Sequence, residues 1–207
     1  MSIHLAEAKD FHTALMTTNG GGIWDDLGWL CMADIQQVAR DASKALKKFG
    51  LSSNEPVLTP VGGRAEDISA ILAVIDAGGV AVPFHRKSHR DTRSNLESAT
   101  SARFVLSTPD HEKRGTPSPI RISKTLPPKR PLLDGAAIIT YTSGSTGKPK
   151  GVVLSRNKIS AKLDAICEAI EMVSSPVAMV PLQLQFSFGQ WATFLPLMMG
   201  GTVHITA

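Results

Sequence analysis

The sequence predicts an α/β protein built mainly on a parallel sheet with flanking helices. Three observations predict it: short apolar runs alternate with amphipathic helical patterns, glycine pairs stand at the boundaries between them, and the composition points to no other class. Of the 207 residues, 43% are hydrophobic and 19% are charged. A chain of this size and make-up buries a core without disulfides, and collagenous, disordered and membrane-spanning readings lose at the outset.

From Ala33 to Phe49, the apolar residues Ile35, Val38, Ala39, Ala42, Leu46 and Phe49 recur at steps of three and four, the signature of one buried helix face; Gly50 ends the run. Glu55 to Val61 reads as a short buried strand, closed by Gly62-Gly63. A second helix, Ala65 to Ala77, turns Ile68, Ile71, Leu72 and Ile75 inward and stops at Gly78-Gly79. Val80 to Val82 is the next strand, Asp91 to Ala99 a short polar helix and Arg103 to Leu106 a further strand. Strand, helix, strand, helix, strand in that order implies parallel strands joined by crossovers.

The segment from Pro109 to Pro131 holds six Lys and Arg, two acids and six prolines, so it carries +4, the whole net charge of the chain. With no apolar periodicity it reads as a solvated connector and divides the chain into 1–108, 109–131 and 132–207. Neither this segment nor the run His85 to Arg93 interleaves aromatic residues for base stacking, so nucleic acid is not an expected partner.

Beyond the connector, Ala136 to Tyr141 is a strand-like apolar run, and Val152 to Leu154 is a second, shorter one. Ser155 is a good N-cap for a helix whose inward face is Ile159, Leu163, Ile166 and Ile170. Val177 to Leu182 reads as a buried strand, Gln190 to Met199 as a helix and Thr202 to Ile205 as a last strand. No run of 18 apolar residues suggests a membrane span. The N-terminus lacks the basic start and apolar core of a signal peptide, and the two cysteines, Cys31 and Cys167, stand in no metal or redox spacing. The chain is therefore expected in the cytoplasm, with both thiols buried and inert.

Chemistry concentrates in Tyr141-Thr-Ser-Gly-Ser-Thr-Gly-Lys-Pro-Lys-Gly151. Gly144 and Gly147 let the backbone approach a ligand, while the hydroxyls of Thr142, Ser143, Ser145 and Thr146 and the free amides can ring phosphate oxygens. Lys148 and Lys150 add positive charge. The segment is an anion cradle but not a Walker A loop, since Thr142 stands where the first glycine is required and Pro149 where a hydroxyl must hold magnesium.

This eleven-residue stretch resembles the phosphate-loop signature of the adenylate-forming superfamily, which includes acyl-CoA synthetases, aryl-acid ligases, luciferases and nonribosomal peptide synthetase adenylation domains. Further stretches are similar to the superfamily's other motifs, in the expected order: Leu30 to Ile35, Ile71 to Pro83, Asp134 to Gly151 and Phe186 to Val203. The resemblance implies that the chain is the first part of the superfamily's N-terminal domain, with ATP and Mg2+ as cofactors. It also implies an AMP-forming ligase reaction, in which a carboxylic acid attacks the α-phosphate of ATP and the acyl group then passes to a thiol such as CoA or a carrier protein. Thr142, Ser143, Gly144, Ser145, Thr146 and Gly147 would grip the phosphates, and Lys150 would neutralise the charge that grows on them as the bond breaks.

Two departures qualify the resemblance. Cys31 stands where Thr is usual, which weakens a helix start, and the superfamily's later motifs, with the ribose-binding Asp and the catalytic Lys of the C-terminal domain, have no counterpart here. The expectation is therefore an incomplete and inactive ligase. The alternatives are a non-catalytic nucleotide-binding or interaction module, or one half of a split enzyme completed by a second chain.

For the acid itself, the residues in question are Phe186, Ser187 and Gly189. Where amino-acid-activating relatives carry an Asp that pairs with the α-ammonium, this chain has Ser187; Phe186 replaces a His found in many acyl-CoA synthetases. The resulting pocket is uncharged and suits a fatty or aryl acid. His85 and His89, four apart, would need a helix and a third ligand to hold a metal, so no metal site is expected. No serine sits in a nucleophile-elbow motif. Met198 and Met199 read as core, and Trp24, Trp29 and Trp191 as core or subdomain contacts, with Trp191 close to the acyl pocket.

Overall fold

The computed structural model describes residues 10–108, 121–124, 134–142 and 150–206. In chain order the elements are α1 (Phe11–Thr17), β1 (Gly22–Asp25), β2 (Gly28–Cys31), α2 (Met32–Lys48), β3 (Pro56–Val61), α3 (Ala65–Asp76), β4 (Val80–His85), α4 (Arg90–Thr100) and β5 (Phe104–Ser107). They continue with β6 (Arg121–Lys124), β7 (Ala136–Thr142), β8 (Lys150–Ser155), α5 (Arg156–Ala169), β9 (Val177–Val180), α6 (Ser187–Met198) and β10 (Thr202–Ile205).

The strands form two sheets, of order β6-β5-β3-β4-β7-β8 and β2-β1-β10-β9. In the six-stranded sheet β5, β3, β4 and β7 run parallel, with β6 and β8 antiparallel at its edges. The predicted α/β class with a mainly parallel sheet is what folds. Each sheet takes strands from both sides of segment 109–131, since β7 and β8 join β3 to β5, and β1 and β2 join β9 and β10.

Alternation along the central strands divides the interior. Val57, Ala81, Phe104, Leu106 and Ala137 face one side, where they pack with Ile68, Ile71 and Leu72 of α3 and Ile35, Ala39 and Leu46 of α2. Leu58, Val80, Val82, Phe84 and Val105 face the other, where Leu96 of α4 covers them. A period of two is what sends neighbouring residues to opposite faces. Ile159 and Leu163 of α5 are buried as expected, and Ser155 caps that helix by accepting from the Lys158 amide at 3.3 Å.

Several sequence expectations are corrected. Within the segment read as a solvated connector, Arg121–Lys124 forms an edge strand that the sequence did not suggest: it pairs antiparallel with β5, satisfying the outer edge of that strand, and Ile122 tucks half-buried against the core while Arg121 and Ser123 face solvent. The run Val177 to Leu182 is not a buried strand. It yields β9 at the sheet edge, with Val177 75% and Met179 73% exposed, because apolar content alone cannot tell a covered strand face from a bare one. Phe49 and Ile170, expected inward, are exposed because each lies past the last turn of its helix.

The N-terminal elements went unread in the sequence. Asp10 caps α1 by accepting the Thr13 amide at 2.8 Å. β1 and β2 form a hairpin whose turn is held by the Asp25 carboxylate on the Leu27 amide at 2.8 Å and by a positive φ at Gly28. Trp24 and Trp29, expected in core or subdomain contacts, instead lie on the outer face, 45% and 38% exposed, paired directly across the hairpin. Register continues the row from Trp24 to His204 on β10 and on to Met179 on β9. Cys31 and Cys167 are half-buried rather than buried. Cys31 makes no capping bond to the helix backbone; its thiol donates to the Asp34 carboxylate at 3.1 Å.

Candidate functional site

The carboxyl ends of β3 and β4 are where the two crossovers part. The chain leaving β3 enters α3 on one face of the sheet, and the chain leaving β4 enters α4 on the other, which opens a crevice between them. Two cavities lie along this edge. The larger, about 500 Å³, is lined by Pro83, Phe84 and His85 of β4, Ser88, one face of α4, Tyr141 and Thr142 of β7, and Gln185 and Phe186 ahead of α6. The smaller, about 190 Å³, lies between the ends of the two sheets, with Val61, Gly62 and Gly63 on one side and the 181–185 segment, Ile205 and Thr206 on the other. His85 and Gln185 line both.

A buried ionic network fixes this edge. Asp67 is fully buried, and its Oδ2 accepts the amides of Gly62 at 2.7 Å and Arg64 at 3.0 Å. Its Oδ1 takes Arg86 Nη2 at 2.5 Å and the Thr108 hydroxyl at 2.9 Å. Burial pushes the Asp67 carboxyl above its ordinary value, and Arg86, the Arg64 and Gly62 amides and the Thr108 hydroxyl oppose that push. One carboxylate thus ties together the loops that follow β3, β4 and β5.

Of the residues singled out in the sequence, Thr142 closes β7 and Lys150 opens β8, paired across the mouth of a hairpin. The Thr142 hydroxyl donates to the Lys150 carbonyl at 3.4 Å, and both residues are exposed. Ser143, Gly144, Ser145, Thr146, Gly147 and Lys148 lie outside the described residues. Thr142 and Phe186 are brought to the same large cleft. Ser187 begins α6 behind Phe186 and does not line that cleft, nor does Gly189. Gly189 is a packing position: a Cβ there would stand 2.4 Å from the Gln183 carbonyl oxygen.

His85 ends β4 and His89 precedes α4, so they do not share a helix turn, and among the described residues no group of three His, Cys, Asp or Glu stands ready for a metal. Trp191 packs half-buried against the core, its ring 6.3 Å from that of Phe194. Asp67, Arg86 and Gln185 were not singled out in the sequence. No local motif marks them; only the parallel topology, which gathers strand ends, would have directed attention there.

A family model described as AMP-binding enzyme matches residues 6–207. The chain is 28% identical over 176 residues to the nonribosomal peptide synthetase valB of Aspergillus terreus, covering 75% of this chain and 6% of that protein. It is 29% identical over 160 residues to a malonate–CoA ligase of Arabidopsis thaliana, covering 64% of this chain and 26% of that one. It therefore spans about a quarter or less of the length of these curated relatives. Among solved structures, the AMPPNP-bound nonribosomal peptide synthetase FmoA3 superposes with a TM-score of 0.76 at 18% identity, over 96% of this chain and 23% of that one. The N-terminal subdomain of Klebsiella oxytoca NpsA, in complex with 3-hydroxybenzoyl-AMSN, superposes with a TM-score of 0.72 at 19% identity, over 95% and 52%. At these identities the structures share the fold. No helix among the described residues is long and apolar enough to cross a membrane.

Proposed function

Because the chain belongs to the AMP-binding enzyme family, we propose that it provides the ATP-binding part of a ligase that activates a carboxylic acid as its adenylate. The observation that carries this reading is the meeting of Thr142, at the mouth of the β7–β8 hairpin beside Lys150, with an open cleft of about 500 Å³ at the carboxyl ends of β4 and β7. Exposed hydroxyl and ammonium groups beside a cleft fit a polyphosphate chemically, and the AMPPNP complex of FmoA3 supports ATP as the nucleotide. Bound ATP would supply the α-phosphate that the acid attacks, with pyrophosphate as the leaving group. The chain's own part would be electrostatic: the Lys150 ammonium neutralises charge on the phosphates, and the Thr142 hydroxyl and the loop after it orient them. With no carboxylate cluster among the described residues, Mg2+ would arrive as the counter-ion of ATP.

In this reading the acyl group then passes to a thiol, on CoA or on a carrier protein. Nonribosomal peptide synthetases and a malonate–CoA ligase among the relatives keep both acceptors in view. The acid would be one without an α-amino group, since among the described residues no carboxylate lines the large cleft to meet an ammonium. Catalysis would need the further segments that the longer relatives carry, in the same chain or a second one, and the 207 residues alone would give only background carboxylate-dependent exchange between ATP and pyrophosphate.

The test is calorimetric titration of the chain with a non-hydrolysable ATP analogue, beside pyrophosphate exchange in a catalytically active form. Lys150→Ala should weaken the first and slow the second by about two to three powers of ten, the loss expected when one preorganised contact to a transferring group is removed. Unchanged exchange in Lys150→Ala overturns the role of this lysine, and absence of nucleotide binding by the unsubstituted chain overturns the proposal.

A further inference from the structure

Between the end of β9 at Val180 and the start of α6 at Ser187 the chain follows neither a helix nor a strand, yet this stretch walls both cavities. Pro181 to Gln185 line the small one, and Gln185 and Phe186 the large one. Packing of the Phe186 ring does not fix its place, because the residue is 47% exposed. Whatever holds the backbone of 183–186 therefore decides where that ring stands in the cleft.

Contacts from the first turn of α6 hold it. Gln190 is wholly buried, and its Nε2 donates to the Leu184 carbonyl at 2.9 Å. Its backbone amide donates to the Phe186 carbonyl at 3.1 Å, so one residue grips the segment on both sides of Gln185. Gly189 lets the helix come close: a Cβ there would stand 2.4 Å from the Gln183 carbonyl oxygen, and that same carbonyl accepts the Phe186 amide at 3.2 Å. The Thr193 hydroxyl donates to the Gly189 carbonyl at 2.8 Å and anchors this turn from within the helix. Among buried neighbours such as Phe194 and Leu197, an apolar side chain at 190 would be buried without the desolvation cost of an amide. What the amide supplies instead is the bond to Leu184.

We propose that Gln190, together with Gly189, is a positioning residue for the acyl group: it holds the 183–186 turn so that Phe186 stands as a wall of the large cleft against the hydrocarbon part of the acid. The inference rests on the adenylating function proposed above. Neither residue lines the cleft, so each acts through Phe186. Loss of a merely structural residue weakens every ligand alike, whereas loss of one that places Phe186 weakens binding in proportion to the length of the acyl group.

The experiment is calorimetric titration of the 207-residue chain with a non-hydrolysable ATP analogue and with two acyl-sulfamoyl adenosines, one acetyl and one octanoyl. Unsubstituted protein should bind the octanoyl compound at least about tenfold more tightly than the acetyl one, through its added buried hydrocarbon. Gln190→Met, which keeps the side-chain volume and removes the donor, should cut that ratio to about threefold or less while leaving the acetyl compound and the ATP analogue within about twofold. Gly189→Ala should cut the same ratio from the other contact, and it serves alone if thermal melting shows that Gln190→Met does not fold. A ratio that survives in the folded variants, or an equal weakening of all three ligands, overturns the positioning role. A chain that binds the ATP analogue but does not prefer the octanoyl compound overturns it too, and leaves the adenylating function standing. Absence of binding by all three ligands removes both readings together.

Discussion

Arg86 Nη2 stands 2.5 Å from Asp67 Oδ1, and the same guanidinium arm lies so close over Gly62 that a Cβ there would meet Arg86 Nε at 2.5 Å. The glycine, the arginine and the carboxylate therefore form one unit at the end of β3. Gly62 leaves room for the arm, the arm reaches Asp67, and Asp67 returns to hold the Gly62 amide.

Asp67→Ala should destabilise the protein by about 3–5 kcal/mol in urea unfolding, the usual cost of leaving one partner of a buried pair uncompensated. Gly62→Ala should cost less but act on the same contact, because the arm, pinned by Asp67 and Thr108, must shift. The two substitutions should therefore be strongly non-additive: combined with Asp67→Ala, Gly62→Ala should cost at least about 1 kcal/mol less than it does alone. Additive losses would mean that the close approach at Gly62 is unrelated to the ion pair.

His12 gives the stability a pH dependence of definite sign. It is buried on α1, and desolvation first, then the Arg156 charge, hold its pKa below the ordinary histidine value of 6.5, against opposing effects from Asp76, Asp10 and the Leu72 carbonyl. The folded state thus binds its proton less readily than the unfolded one. Stability is full above pH 6.5, falls as the pH drops below that value and levels off below the folded-state pKa. His12→Gln should flatten this decline. A urea midpoint in the unsubstituted chain that stays constant from pH 7 to pH 5 would contradict the assignment.

The elements legible in the sequence were those whose apolar residues keep a helical period or fill a strand buried on both faces. α2, α3, β3, β4 and β7 are of this kind, and most of their inward residues, such as Ile35, Ile68 and Val82, are fully buried. What stayed illegible depended on pairing. β6 is a strand because β5 has an open edge, and nothing within Arg-Ile-Ser-Lys announces it. Likewise, Val-Ala-Met-Val reads the same whether or not something covers its outer face. At the site, an anion cradle could be proposed from the sequence because its chemistry is local. Arg86 meets Asp67 across 19 residues of sequence, and Gln185 shares a cavity wall with Val61 and His85 far earlier in the chain, which a linear motif does not encode.

The outer face of the four-stranded sheet should make the isolated chain self-associate. Trp29, Trp24, His204 and Met179 run in register across all four strands, and β9, at the edge, carries Val177 and Met179 outward with no charged residue along its length. Edges of this kind are usually guarded by a charge, a proline or a bulge. Light scattering should show association that grows with concentration, and the double substitution Val177→Lys and Met179→Lys should restore a monomer without lowering the melting temperature by more than a few degrees. A monodisperse unsubstituted chain at high concentration would show that the bare face does not drive association.

The class of acid can be tested at the wall of the large cleft. Phe186 borders that cleft, and among the described residues no carboxylate lines it. A substrate α-ammonium entering here would lose its hydration and find no opposite charge, a penalty that neutral hydroxyls do not offset. Fatty and aryl acids carry no such group and meet Phe84, Leu96 and Phe186 instead. In a catalytically active form, a carboxylate panel should therefore release pyrophosphate faster with fatty or aryl acids than with any α-amino acid. Phe186→Asp, which puts a carboxylate on the cleft wall, should narrow the gap by raising the response to amino acids, because it supplies the charge that an ammonium needs. A panel led by α-amino acids on the unsubstituted protein would show that the ammonium is met by a group outside this chain's described residues, and would overturn the exclusion of α-amino acids.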